Sequence, residues 1–229
     1  MKDKDIMENN KNCDEENSPT AGQSEGEEIA NSLTHGIGVG LSIAALVLLV
    51  IFSAIYGDAW NVVSLSIYGA TLIILYLTST IYHSLRNIKA KKFFKLMDHI
   101  SIFILIAGTY TPITLVALRG PWGWSIFGVI WGIAVLGTLY KIFFIGKHKI
   151  IDVVIYVIMG FTILVAVVPS LQLMPFGMII WIIIGGACYL TGIIFYAIDK
   201  IPYHHSIWHL FVLGGSISHF FGMLFYMTN

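Results

Sequence analysis

The chain reads as an all-α polytopic membrane protein, a bundle of seven transmembrane helices with a cytoplasmic N-terminus. Three observations predict it. Apolar residues make up 57% of the 229 residues and charged residues only 11%, against about 25% charged in a soluble domain. The charges are segregated: nine of the 13 acidic residues precede position 29, and only Asp58, Asp98, Asp152 and Asp199 follow Glu28. Beyond that point the chain alternates long apolar runs with short polar breaks, and a helix needs about 20 apolar residues to cross a bilayer.

The first 28 residues are rich in Asn, Glu, Asp, Ser and Lys. They have almost nothing to bury, so a disordered acidic tail is expected over 1–28, followed by one helical domain over 29–229. The tail lacks the basic start and apolar stretch of a cleavable signal, so the first apolar run is expected to act as an uncleaved anchor. The spans are read at 32–55, 59–83, 97–118, 122–143, 150–168, 175–198 and 205–227. Links as short as Arg119-Gly120-Pro121 make neighbouring helices antiparallel. Glycines within spans, among them Gly36, Gly38, Gly40, Gly108, Gly185, Gly186, Gly214 and Gly215, are read as close-packing positions. Trp60, Trp122, Trp124 and Trp208 fall near span ends, where such rings concentrate.

Basic residues set the orientation. Arg86, Lys89, Lys91, Lys92, Lys95, Lys141, Lys147, Lys149 and Lys200 fall in breaks on one side and Arg119 alone on the other. Cytoplasmic loops collect Lys and Arg, which puts the N-terminus inside and the C-terminus outside. No basic stripe of the density that nucleic acid requires is present. The two cysteines, Cys13 and Cys188, suggest neither a disulfide framework nor a cysteine zinc site.

This topology brings four ionisable residues to one membrane depth: His83 at the end of the second span, Asp98 opening the third, and His205 and His209 opening the seventh. Ionisable residues at membrane depth are costly and are functional candidates by default. His205 and His209 are four apart and share a helical face. With His83 they make three imidazoles, the protein ligand count of a catalytic zinc site. Asp98 could act on the water at the open fourth position or ligate the metal itself. Ser79, one turn before His83, could offer its hydroxyl to a substrate oxygen. His99, His148 and His204 are expected to be wet residues beside basic loops, and Asp152 and Asp199 solvated charges at helix ends. His219 lies about 15 Å beyond His209 and is read as an interhelical hydrogen-bonding residue. His35 fits either support of the site or ordinary packing.

Five segments carry a family resemblance: Glu28 to Gly36, Ser79-Thr80-Ile81-Tyr82-His83, Asp98-His99-Ile100-Ser101-Ile102, Gly108-Thr109-Tyr110-Thr111-Pro112, and His205 to His209. Together they resemble the hemolysin III family, the bacterial branch of the progestin and adiponectin receptor family, over about residues 27–227. The resemblance implies seven helices with a cytoplasmic N-terminus, in a multi-pass protein of the bacterial plasma membrane. It implies one zinc ion held by His83, His205 and His209, with Asp98 near the water at the open position and Ser79 beside it. The family is similar to alkaline ceramidases, so a zinc-dependent hydrolase of lipid amides or esters, acting on membrane lipids in lipid homeostasis, is the first expectation. A non-enzymatic membrane sensor with structural zinc is the second. A pore-forming cytolysin, which the family name suggests, is the third. The apolar spans argue against a secreted toxin.

Overall fold

A computed structural model describes residues 23–228. Among these residues the chain is entirely helical, with no strand. Seven segments are long and apolar enough to cross a membrane. They are α1 (Glu25–Tyr56), α2 (Ala59–Ser84), α3 (Ile88–Pro112), α4 (Pro121–Phe144), α5 (Lys149–Phe161) with α6 (Val167–Leu173), α7 (Phe176–Ala197) and α8 (His204–Met227). A π-helical turn, Ile113–Ala117, extends α3 beyond Pro112, and a 3-10 turn, Thr162–Ala166, joins α5 to α6 within the fifth span. The protein is an integral, multi-pass membrane protein.

Helix ends follow local chemistry. Ser24 caps α1 through a reciprocal box: its hydroxyl accepts from the Glu27 amide, and the Glu27 carboxylate accepts from the Ser24 amide at 2.7 Å. Asp58 and Asn61 build the same box on α2, and Asn87 caps α3. α1 therefore starts at Glu25, so the last four residues of the expected 1–28 tail belong to a helix. The rest of that tail, through residue 22, lies outside the described residues, as does Cys13. The third span also starts earlier than expected. Asp98 does not open it; the cap at Asn87 starts α3 ten residues before Asp98, because a capped segment bearing Lys89, Lys91, Lys92 and Lys95 is polar yet still helical.

The bundle is apolar outside, and its interior mixes apolar clusters with many polar side chains. Ile150, Phe143, Phe176 and Val165 are among many large apolar side chains that face outward, while Ser64, Thr71, Thr111, Thr114, Ser216 and His219 are buried. Hydrocarbon tolerates the first set, and many of the buried polar groups find partners inside, although Ser64 Oγ does not. Thr111 and Thr114, for instance, donate to carbonyls one turn back, and Tyr76 donates to Ser216 Oγ at 2.8 Å. α1 packs on α2 and α8, α2 on α3, α3 on α4, and α7 on α8. The buried stripe of α1, Glu28, Asn31, His35, Gly38, Ser42, Ala45, Leu49 and Ser53, recurs every three or four residues and is mostly small or polar. The glycines divide. A Cβ at Gly38 would fall 2.5 Å from the Tyr76 ring and one at Gly108 2.2 Å from Thr71, so these two are required for close approach, whereas Gly40 and Gly186 face open space.

Two charge expectations change. Asp152 is not a solvated helix-end residue: it is buried and bound to the equally buried Lys141, across α4 and α5. Lys91 is likewise buried and paired with Glu28 at 3.1 Å. Ionised groups enter such sites only in pairs, and the sequence alone does not show that Lys91 and Lys141 have partners. Asp199 remains exposed with Lys149 at 3.2 Å, and Arg119 pairs with Asp58 at 3.4 Å at the other end of the bundle.

Candidate metal centre

The site forms where the first turns of α1 bridge the end of α2 and the start of α8. His83 is in the last turn of α2, and His205 and His209 occupy one face of the opening turns of α8. Their ring centroids are 5.2, 5.1 and 4.7 Å apart for His83–His205, His83–His209 and His205–His209. Each imidazole offers a ring nitrogen within 4.8 Å of those of the other two. Nε2 of all three is buried and has no hydrogen-bond partner. A buried polar atom without a partner is costly, and three imidazole nitrogens this close together form a donor set suited to a cation. Neutral imidazole nitrogens are usual ligands of zinc. The residues therefore fit a metal ion.

The opposite ring nitrogens are held by α1. His83 Nδ1 lies 2.7 Å from the Glu28 carboxylate, whose other oxygen meets Lys91 Nζ at 3.1 Å. His209 Nδ1 donates to the Asn31 carbonyl at 3.3 Å. Both bonds fix the tautomer that leaves Nε2 free as an acceptor, the usual arrangement around a metal-binding histidine. Asn31 also takes the Ser206 hydroxyl at 2.5 Å through its side chain. Glu27, one residue before Glu28, accepts the Tyr203 amide at 2.9 Å. Tyr203 is the one described non-glycine residue with positive φ (58°). That conformation costs about 1–2 kcal/mol, and the bond from Glu27 holds it where α8 begins.

Ser79 is fully buried one turn before His83, and its hydroxyl neighbours the Asp98 carboxyl without a well-formed hydrogen bond. Asp98 is buried on α3 within electrostatic reach of His83. The described residues thus bring all five sequence-predicted positions to one region, although Asp98 does not join the metal-binding group. His35 is buried and stacks on His209 with centroids 3.5 Å apart and planes 9° apart, so it buttresses that ring. Trp208, expected at an interface, packs on His205 at 4.8 Å. His219 stands apart and meets the Ile182 carbonyl on α7 at 3.2 Å, as its spacing suggests. His148 is exposed against Tyr140, but His99 and His204 are half-buried, with Nδ1 on the carbonyls of Lys95 and Phe195.

Glu28, Asn31 and Lys91 were not identified from sequence as site residues. A signal existed: Glu28, Asn31 and His35 are spaced three and four apart, which sets three polar side chains on one face of an otherwise apolar helix. Counting Glu28 with the tail hid it.

The family model described as haemolysin-III related matches residues 24–220, from the cap of α1 into the second half of α8. The chain belongs to the haemolysin III family. It is 46% identical over 203 residues to the hemolysin-3 homolog of Bacillus subtilis, covering 89% of this chain and 95% of that one. It is 45% identical over 201 residues to hemolysin-3 of Bacillus cereus, covering 88% and 92%. A more distant relative is the human monocyte to macrophage differentiation factor, 28% identical over 210 residues, covering 88% and 84%. All five candidate residues and the α1 residues that support them lie within the haemolysin III match.

Proposed function

We propose that this haemolysin III protein is a zinc-dependent hydrolase of the plasma membrane, acting on a lipid amide or ester in membrane lipid homeostasis. The observation that carries the reading is the set of three buried, partnerless Nε2 atoms with a buried carboxylate and hydroxyl beside them. Three neutral imidazoles without thiolate suit zinc and leave a coordination position open. Bound there, zinc would polarise the carbonyl and make water nucleophilic near neutral pH.

The chain's own groups complete the chemistry. Asp98 takes the proton of the attacking water and delivers it to the departing amine or alcohol. Ser79 Oγ–H, buried beside the Asp98 carboxyl, donates to the oxygen that gains charge. Glu28 and Asn31 keep His83 and His209 from turning. The N-terminus is cytoplasmic in this reading. Seven of the nine basic residues on that side remain after Lys91 and Lys141 are set aside as buried pairs, against Arg119 alone.

Asp98→Asn tests the role of the carboxylate. Zinc content is expected to match the wild type, while lipid hydrolysis falls by at least about 100-fold, the usual range for a lost general base. A comparison of membrane lipids in cells carrying the wild type or the variant would identify the substrate as the class that accumulates. Loss of zinc from Asp98→Asn as complete as from His209→Ala would make the aspartate a ligand. It would replace the hydrolase with a structural-zinc sensor.

A further inference from the structure

A cavity of about 520 Å³ opens where the first turns of α1, the end of α2 and the start of α3 meet. His83 lines it, but His205 and His209 do not, so it lies on the Glu28 side of the triad, away from the metal-facing nitrogens. The charges at its floor are satisfied, because Glu28 is held between His83 and Lys91. The charges at its rim are paired only loosely. Arg86 and Glu25 stand 3.7 Å apart with side chains 91% and 89% exposed. A pair so long and so wet contributes almost nothing, and both ions are available to another partner.

Besides the polar Gln23, Ser32 and Ser84, the remaining wall is apolar. Ile29 and Leu33 line the cavity from α1 and Ile88 from α3, all three exposed. The i, i+4 ridge of α1 that begins with Ile29 and Leu33 winds on through Ile37 and Leu41, also exposed. This makes an apolar track of about 18 Å along the helix, leading from the charged rim into the bilayer.

We propose that this cavity binds a zwitterionic phospholipid, with its phosphate on Arg86, its ammonium on Glu25 and an acyl chain along Ile29, Leu33, Ile37 and Leu41. Two acids and two bases line the cavity, so it matches a headgroup of zero net charge. A net-anionic headgroup would neutralise Arg86 and leave Glu25 without a counterpart. Arg86 suits the phosphate because its planar fork binds phosphate oxygens in pairs. The bound lipid sits one hydrogen bond from His83 through Glu28, yet its binding does not depend on whether the triad turns over.

The test uses the full-length protein in detergent, with and without zinc, and short-chain phosphatidylethanolamine or phosphatidylglycerol as probes read by native mass spectrometry. Phosphatidylethanolamine should be retained preferentially. Arg86→Gln and Glu25→Gln should each weaken it about two- to fivefold, the range for one exposed charged contact. Arg119→Gln, which removes an exposed cation at the opposite end, should not. Phosphoethanolamine without acyl chains should bind far more weakly than the lipid, since it cannot use the α1 track. A photoreactive acyl chain should label residues 33–41, with labelling displaced by phosphatidylethanolamine. Equal retention of both lipids, insensitivity to both rim substitutions, or labelling spread evenly over the bundle would overturn the proposal in favour of ordinary annular lipid.

Discussion

Replacing Glu28 by Gln should separate metal affinity from folding. The carboxylate makes two short contacts, to His83 Nδ1 at 2.7 Å and to Lys91 Nζ at 3.1 Å, and the three side chains are 12%, 1% and 5% exposed. The amide retains the shape and can still accept from His83, but it loses the charge that makes the imidazole a stronger ligand. Removing such a partner lowers metal affinity about 10- to 100-fold, or about 1.4–2.8 kcal/mol. Folding suffers separately, because Lys91 is left as a buried cation without its counter-ion, a loss of about 3–5 kcal/mol. Adding Lys91→Met to Glu28→Gln removes the stranded charge, so thermal stability should recover while the affinity deficit remains. Zinc affinity measured by chelator competition, alongside a thermal melt of the metal-free protein, reads the two effects independently. Zinc binding by Glu28→Gln within twofold of wild type, or an equal affinity loss in Lys91→Met alone, would show that Glu28 does not support the metal through His83.

Other consequences follow from the same contacts. Deleting residues 1–22 should leave zinc binding unchanged, while deleting 1–28 should abolish it, because the longer cut removes the Ser24 cap, the Glu27 bond to Tyr203 and the Glu28 bond to His83; zinc content of the two purified proteins decides this. Lys141→Met should destabilise the protein by about 3–5 kcal/mol by stranding Asp152, and the double change Lys141→Met with Asp152→Leu should recover most of it, as read from melting temperatures. A reporter fused after Asn229 should report the extracytoplasmic side, since basic residues cluster at the end of the bundle that carries His83 and His205; a cytoplasmic signal would reverse the orientation.

The architecture was legible because hydrocarbon imposes one simple rule, and each apolar run of sufficient length became a helix. Boundaries were harder where polarity and helicity part company. Ile88 to Met97 is too charged to resemble a span, yet Asn87 caps it and α3 begins there. Buried ion pairs were invisible for a related reason. Lys141 and Asp152 each read as an interfacial charge, and only the packing of α4 against α5 shows that they neutralise one another. The triad was legible because four-residue spacing and membrane depth are both readable from sequence. Its support was not, because Glu28 was read by the composition of its neighbours and not by the helical face it shares with Asn31 and His35.

That support explains why the candidate metal centre sits at this end of the bundle. His83 and the His205–His209 pair come from helices α2 and α8, which have little contact with each other compared with their contacts to α1. Two histidine-bearing elements that merely met would leave three imidazoles free to rotate and bond one another. The first two turns of α1 prevent this by binding the far nitrogens of His83 and His209, stacking His35 on His209 and holding the Tyr203 turn that starts α8. The acidic first turn of α1 is therefore part of the centre, and its local electrostatics favour that use. Glu25, Glu27 and Glu28 lie at the positive end of the helix dipole, where carboxylates are stabilised. A helix that needs acids at its start can thus supply one to a histidine at little further cost, and the capping box that begins α1 also sets the register that brings Glu28 to His83.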